Sequence, residues 1–108
     1  MDRTLVASAV AENLFATEAA VEDALAQAVL LMRRMMDARR ALGLPMAAGD
    51  PALRRVSAAV DALGEAQREI VRTHGELETL RSEIGLRILG FGPLHKPLAG
   101  AAEDQVAD

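Results

Sequence analysis

One apolar repeat constrains the fold of this chain more than any other feature. Apolar residues at alternating spacings of three and four lie on one side of an α-helix, which turns once in about 3.6 residues. Thr17 is the only polar residue in the repeat, and neither Gly nor Pro interrupts it. The repeat predicts a long helix that packs against another helix. With Ala7 as position a of a heptad, the a positions are Ala7, Leu14, Val21, Ala28, Met35 and Leu42, and the d positions are Val10, Thr17, Ala24, Leu31 and Ala38.

A second repeat follows, and signals in the sequence separate the two. Asp2 or Thr4 can cap the first helix, while Gly43 and Pro45 end it. Asp50 followed by Pro51 is typical of a helix start, with Asp50 as the capping acceptor. We therefore predict helix 1 over residues 3–42, a loop over 43–50 and helix 2 over 51–89. The a positions of helix 2 are Val56, Leu63, Ile70, Leu77 and Ile84, and its d positions are Ala59, Ala66, Thr73, Leu80 and Arg87.

Two helices of similar length joined by a short loop predict an all-α fold, an antiparallel helical hairpin over residues 1–89. A turn near residue 45 or 46 pairs residue n with residue 90 − n to 92 − n. This register sets Thr17 beside Thr73, the uncharged polar residues of the two repeats, with His74 and Glu18 nearby. We interpret Thr17, Thr73 and His74, with Glu18 nearby, as one polar layer that fixes the register. Glycines inside helix 2 leave a break near Gly75 open as an alternative.

Helix 1 has more apolar residues than its contact with helix 2 can cover; we call this contact the seam. Leaving such side chains in water forfeits about 1.5–3 kcal/mol each. We therefore predict a homodimer in which two hairpins form a four-helix bundle. In the alternative, helix 2 breaks near Gly75 and a third helix covers this surface within one chain. The predicted dimer interface consists of Phe15, Leu25, Val29, Leu30, Met32 and Met36.

Composition excludes several classes of protein. The chain of 108 residues has no cysteine, which rules out disulfides, thiolate metal sites and cysteine nucleophiles. Its only aromatic residues besides histidine are Phe15 and Phe91, and no stretch alternates with period two, so a β-fold is disfavoured. The longest apolar run, residues 28–32, is far shorter than the ~20 residues that span a bilayer. We expect a cytoplasmic protein without membrane contact.

Charge is unevenly distributed along the chain. Residues 1–23 carry one Arg and five acids, whereas residues 33–55 carry six Arg and two Asp. Arginines at the end of helix 1 suit its macrodipole, but Arg54 and Arg55 begin helix 2, where positive charge is mildly unfavourable. The basic zone is therefore either a solvated helix end or a surface that binds an acidic partner, phosphates or lipid. Candidate partner-binding residues here are Met32, Met36, Arg39, Arg40, Met46, Arg54 and Arg55.

Residues 90–108 do not have a helical pattern. Gly and Pro flank Phe91 and Leu94, which predicts an extended segment, and the acidic end predicts a disordered tail. Phe91 and Leu94 are candidates for docking on the bundle or on a partner.

No motif indicates catalysis, a cofactor or a metal. Neither His74 nor His95 has an acidic residue three positions before it, as the Glu-x-x-His motifs of bundle metal sites require. We therefore expect a small helical protein-interaction module (an adaptor, chaperone-like or regulatory protein) that self-associates and binds an unidentified protein. A nucleic-acid-binding regulator using the Arg-rich end is the alternative, and an enzyme comes third.

Overall fold

The computed structural model describes residues 2–84, which form two α-helices and, over that range, no strand. Helix α1 spans Arg3–Ala41 and helix α2 spans Asp50–Glu83. The all-α helical hairpin predicted from the sequence is confirmed. The predictions for residues 85–108, including Phe91, Leu94 and the acidic tail, lie outside the described residues.

Asp2 starts α1. Its Oδ1 accepts a hydrogen bond from the backbone amide of Thr4 at 2.9 Å, and its carbonyl accepts one from the amide of Val6 at 3.1 Å. A side-chain oxygen at this position satisfies an amide that has no partner inside the helix. Of the two caps suggested by the sequence, the structure uses Asp2.

Gly43 ends α1. It has a positive φ of 66°, and its amide donates to the carbonyl of Arg40 at 3.0 Å. The amide of Leu44 donates to the carbonyl of Arg39, also at 3.0 Å. These two bonds form a Schellman motif, which satisfies carbonyls at the end of a helix. The predicted role of Gly43 is confirmed.

The start of α2 differs from the prediction. The carbonyl of Gly49 accepts the first helical bond, from the amide of Leu53 at 2.9 Å, so Gly49 occupies the capping position. Asp50 lies inside the first turn, and its Oδ2 accepts a hydrogen bond from Nε of Arg54 at 2.8 Å. The carboxylate of Asp50 therefore neutralises a nearby guanidinium, at a helix end that favours negative charge.

Helix α2 continues without interruption through Gly64 and Gly75. The alternative of a break near Gly75 is therefore wrong. A glycine inside a helix costs about 1 kcal/mol relative to alanine, and the 34-residue helix retains its hydrogen-bond ladder despite two of them.

The described residues belong to two compact units. Unit 1 contains residues 2–18 and 70–84, and unit 2 contains residues 19–69, including the loop. Each unit contains one segment from each helix.

In unit 1, the residues with the least exposure on each helix follow spacings of four, three and four. Val10 and Leu80, both at predicted seam positions, are 47% and 49% exposed. The buried or half-buried series comprises Ala7, Ala11, Leu14 and Glu18 on α1, and Ile70, His74, Leu77 and Arg81 on α2.

Unit 2 follows the same pattern. Leu31, predicted to lie in the seam, is 53% exposed. The buried or half-buried series comprises Val21, Leu25, Ala28, Met32, Met35 and Arg39 on α1, and Leu53, Val56, Val60, Leu63 and Gln67 on α2.

The seam therefore uses heptad positions a and e, and the assignment to a and d is half wrong. Position e carries larger apolar side chains in unit 2, such as Leu25 and Met32, whereas position d carries alanines there apart from Leu31. Larger side chains remove more apolar area from water when they are buried. Polar residues at position e find partners: Glu18 binds His74, and Arg39 donates to the carbonyl of Met46. In unit 2, the larger apolar area at position e explains why e replaces d. In unit 1, the Glu18–His74 hydrogen bond favours e, whereas Arg81 at position e leaves two buried donors without a partner among the described residues.

Candidate interaction surface

A polar pair crosses the seam of unit 1. Nδ1 of His74 lies 2.7 Å from Oε2 of Glu18, and their side chains are 24% and 13% exposed. The ring of Phe15 lies against that of His74, with centroids 6.3 Å apart and planes tilted by 49°. The pair places residue n beside residue 92 − n, at the upper limit of the predicted register. A buried hydrogen bond of this kind penalises any slip that separates the two groups.

The polar layer differs in composition from the predicted one. His74 and Glu18, expected near the two threonines, form the layer by pairing with each other, and the predicted hydroxyl pair does not form it. Thr17 donates its hydroxyl to the carbonyl of Asn13 at 2.8 Å, within its own helix, and Thr73 is exposed. Position e therefore supplies the layer, as it supplies the rest of the seam.

Arg81 is a buried charge that sequence reasoning missed. It is 6% exposed, and its guanidinium pairs with the carboxylate of Glu78. Nε and Nη1 of Arg81 have no hydrogen-bond partner among the described residues. A buried guanidinium with unsatisfied donors costs stability. Its position four residues after Leu77 in the e series is the signal that could have identified it.

At the loop end, three of the six arginines are engaged within the chain. Arg33 pairs with Asp37 at 3.3 Å, and Arg54 pairs with Asp50 at 2.8 Å. Arg39 donates from Nη1 to the carbonyl of Met46 at 3.0 Å. The Arg39 contact joins α1 to the loop, and the two ion pairs reduce the charge that is free to act on a ligand.

The other three arginines of this zone, Arg34, Arg40 and Arg55, are exposed and form no ion pair within residues 2–84. Arg55 also lines an open depression with Asp50, Pro51 and Arg54. Since Asp50 already binds Arg54, Arg55 is the guanidinium of this depression that lacks an acidic partner.

The methionines of the zone separate into two groups. Met32 and Met36 are half-buried, whereas Met46 is 83% exposed in the loop. Leu42 and Leu44 are exposed close to Met46 in sequence. We call Leu42, Leu44 and Met46 the loop patch. Sequence reasoning identified Met46, but it assigned Leu42 to the seam and passed over Leu44, because the exposure of a loop residue has no periodic signal.

The residues predicted to form a dimer interface differ in exposure. Leu25 and Met32 are half-buried in the seam of unit 2, and Phe15 and Met36 are also half-buried. Val29 and Leu30 are exposed. The free apolar surface of α1 therefore includes only part of the predicted set, together with residues that the prediction placed in the seam.

Exposed apolar side chains greatly outnumber buried ones. Within residues 2–84, the buried apolar residues are Ala7, Ala11, Leu14 and Val56, and no side chain of that range is fully buried. A hairpin of two helices covers only one side of each, so the rest stays in water. The exposed large apolar residues are Leu5, Val6, Val10, Val29, Leu30, Leu31, Leu42, Leu44, Met46, Val71, Leu80 and Ile84.

No family model, curated protein or solved structure matches this chain. Its function is therefore argued from the surface. In the described part of the chain, no group of three or more His, Asp or Glu side chains is arranged to hold a metal ion. Neither of the two described helices has an apolar stretch long enough to cross a membrane.

Proposed function

We propose that this chain is a small helical interaction module that forms a homodimer and binds a protein partner at its loop end. The observation that carries the proposal is the excess of exposed over buried large apolar side chains. Full burial of one Val or Leu side chain is worth about 1.5–3 kcal/mol, so covering most of this surface gives a gain comparable to the cost of association, about 4–15 kcal/mol.

Two-fold pairing is the simplest way to cover this surface. The core of a small chain is marginal on its own, and association adds buried area without adding length. Closed two-fold dimers are also the commonest assemblies of identical chains. Pairing of two hairpins gives a four-helix bundle, the arrangement expected from the sequence.

The loop end supplies the proposed partner surface. The loop patch is apolar, and the neighbouring zone carries Arg34, Arg40 and Arg55 without acidic partners in the described residues. Apolar contacts at the centre of an interface supply affinity, and a charged rim supplies orientation and a faster encounter. A segment combining apolar and acidic side chains is the complementary partner.

Sedimentation velocity of the purified full chain tests self-association. We expect a dimer that dissociates on dilution, with the sedimentation coefficient falling toward that of a monomer. A single monomeric species at every concentration would refute the proposal, because the exposed apolar side chains would then be stable in water.

Comparative affinity capture tests partner binding. The wild type is compared with Leu44→Asp/Met46→Asp, which places charge in the loop patch. The matched control is Val71→Asp, which changes an exposed apolar residue of unit 1. We expect a partner held by the wild type and the control to be lost from the loop variant. Equal capture by all three chains would exclude the loop patch.

A nucleic-acid-binding role is the second candidate, and the three unpaired arginines are the observation that favours it. Each phosphate contact made by Arg or Lys makes affinity fall with salt concentration. Fluorescence anisotropy with labelled duplex DNA and single-stranded RNA, across a salt series, separates the two candidates. Steeply salt-dependent binding that is lost in Arg54→Glu/Arg55→Glu would favour nucleic acid. Absence of such binding would leave the protein-interaction module.

A further inference from the structure

We infer that the second copy of the chain binds through the d positions, with its unit 1 against unit 2 of the first copy. This inference rests on the proposed self-association and adds the contact surface and the orientation to it. We call the side chains at the d positions of both helices the d face. It comprises Arg3, Val10, Thr17, Thr73 and Leu80 in unit 1, and Ala24, Leu31, Ala38, Ala52, Ala59 and Ala66 in unit 2.

Helix geometry places the d positions of both helices on the same side of the seam. In an antiparallel pair, the positions just outside the seam on one helix face the equivalent positions of the other helix. With a and e in the seam, d borders one side of it and b borders the other. In unit 1, the Glu18–His74 register puts Thr17 and Thr73 within one helical turn of each other along the seam, both on the d side. Phe15, at position b, contacts the ring of His74.

The d face is the side of the seam that is suited to burial. Arg3, in the first turn of α1, is its only charged residue within the described helices, and Val10, Leu31 and Leu80 are about half exposed. Position b instead includes the acids Glu22 and Glu78; its large apolar residues Phe15 and Met36 are already half-buried in the chain, and Val29 and Val71 are exposed. Burial of the d face covers two leucines and a valine that are about half exposed, whereas burial of the b side covers two valines and also desolvates Glu22 and Glu78.

The border of the d face, at position g, carries opposite charges in the two units. In unit 2 the border includes Arg34 and Arg55, which form no ion pair within residues 2–84. Glu69, the last residue of unit 2, also lies on this border and is already engaged within the chain. In unit 1 the charged border residues of the described helices are Glu76 and Glu83.

This charge distribution selects one of two pairings. Unit 2 against unit 2 brings Arg34 and Arg55 of one copy close to the same arginines of the other. Unit 2 against unit 1 brings them close to Glu76 and Glu83. Like charges placed together oppose association, whereas opposite charges at the rim steer and orient it. The basic border of one copy therefore meets the acidic border of the other.

A second copy of the chain is a suitable partner because each copy carries both the basic border of unit 2 and the acidic border of unit 1. In a two-fold dimer, each copy offers the same patch, and every contact occurs twice. Each Arg border of one copy is then matched by a Glu border of the other, and the d faces, uncharged apart from Arg3, are buried between them.

Charge-swap mixing tests the orientation. Two variants of the full chain are prepared, Arg34→Glu/Arg55→Glu and Glu76→Arg/Glu83→Arg. We expect each variant alone to dimerise on the order of tenfold more weakly than the wild type, because like charges meet at the rim. A mixture of the two is expected to form a heterodimer preferentially, as measured by sedimentation velocity and native mass spectrometry. Random mixing, or undiminished self-association of both variants, would overturn the inference.

A second pair of variants tests the face. Leu31→Asp introduces charge on the d face, and Val29→Asp does the same at an exposed b position of the same helix. We expect Leu31→Asp to abolish the dimer and Val29→Asp to preserve it, with circular dichroism at high protein concentration confirming that both are helical. The opposite result would place the interface on the b side, so this inference would fail while the proposed self-association stood. A monomeric wild type would refute both.

Discussion

Two glycines with open surroundings have opposite roles because their backbone angles differ. An added Cβ would have no neighbour within 4 Å at either Gly43 or Gly75. Gly43 has a φ of 66°, in the left-handed region, whereas Gly75 lies inside α2. The sequence context of Gly43, followed by Leu44 and Pro45, indicates this difference without any knowledge of tertiary packing.

Alanine at these two positions should change stability in opposite directions. We expect Gly43→Ala to lower the free energy of unfolding by about 1–2 kcal/mol, because a side chain disfavours the left-handed conformation. Gly75→Ala should raise it by about 0.5–1 kcal/mol, because alanine restricts the unfolded chain and favours the helix. Urea unfolding at one fixed protein concentration measures both. A destabilising Gly75→Ala would indicate a close contact at that glycine.

The Glu18–His74 pair should show energetic coupling across the seam. We expect a double-mutant cycle of Glu18→Gln and His74→Ala, measured by urea unfolding, to give a coupling energy of about 0.5–3 kcal/mol. Each single variant leaves one polar group in a largely covered position without its partner, which is costly. Arg33→Ala with Asp37→Ala is the matched control, because this exposed pair is worth about 0.2–1 kcal/mol. Additive effects at Glu18 and His74 would show that their hydrogen bond does not stabilise the fold.

At the scale of the element, α1 carries apolar residues along three heptad lines, a, d and e. A single partner helix can cover two of these lines, so the pattern leaves the pairing ambiguous. Lines a and e form the seam, and line d remains exposed with Val10 and Leu31. Because one apolar heptad position of α1 stays exposed after the hairpin forms, α1 has apolar surface available for a further partner.

Truncation of two leucines of α1 tests the seam. Leu14 is buried, and Leu14→Ala should destabilise the chain by about 2–5 kcal/mol through lost apolar burial and the cavity left behind. Leu5→Ala, at an exposed position of the same helix, should change stability by no more than about 0.5 kcal/mol. Thermal and urea unfolding of both variants measure the two changes in the free energy of unfolding. Similar losses at the two positions would contradict the observed seam.

At the scale of the whole molecule, folding and association should be linked. If the dimer buries apolar surface that the single chain exposes, mass action stabilises the folded state as protein concentration rises. We expect the melting temperature of the wild type to rise with concentration, and that of Leu31→Asp to stay constant. Differential scanning calorimetry over a dilution series measures both. A constant melting temperature for the wild type would mean that association contributes nothing to stability.

The sequence predicted the hairpin because local chemistry defines its ends. Asp2 caps α1, and Gly43 closes it in a Schellman motif. The prediction failed at Asp50, because a carboxylate before Pro can either cap a helix or pair within its first turn. Here Arg54, four residues later, takes the carboxylate. The sequence also failed to identify much of the candidate surface. Leu31, Leu42 and Leu44 belong to it because the seam leaves them exposed, and their exposure is known only once the seam is known.

By itself, the sequence determined that the described chain forms two helices, where α1 stops, and that residue n faces a residue between 90 − n and 92 − n. These properties depend on the residues that begin and end a helix and on the apolar repeat within each helix, both of which can be read from short stretches of sequence. Only the tertiary structure decided that e rather than d completes the seam, that Glu18 is the partner of His74, and which apolar residues remain in water. Those choices depend on the area that two surfaces bury together and on the polar groups they can satisfy, quantities that neither helix has alone.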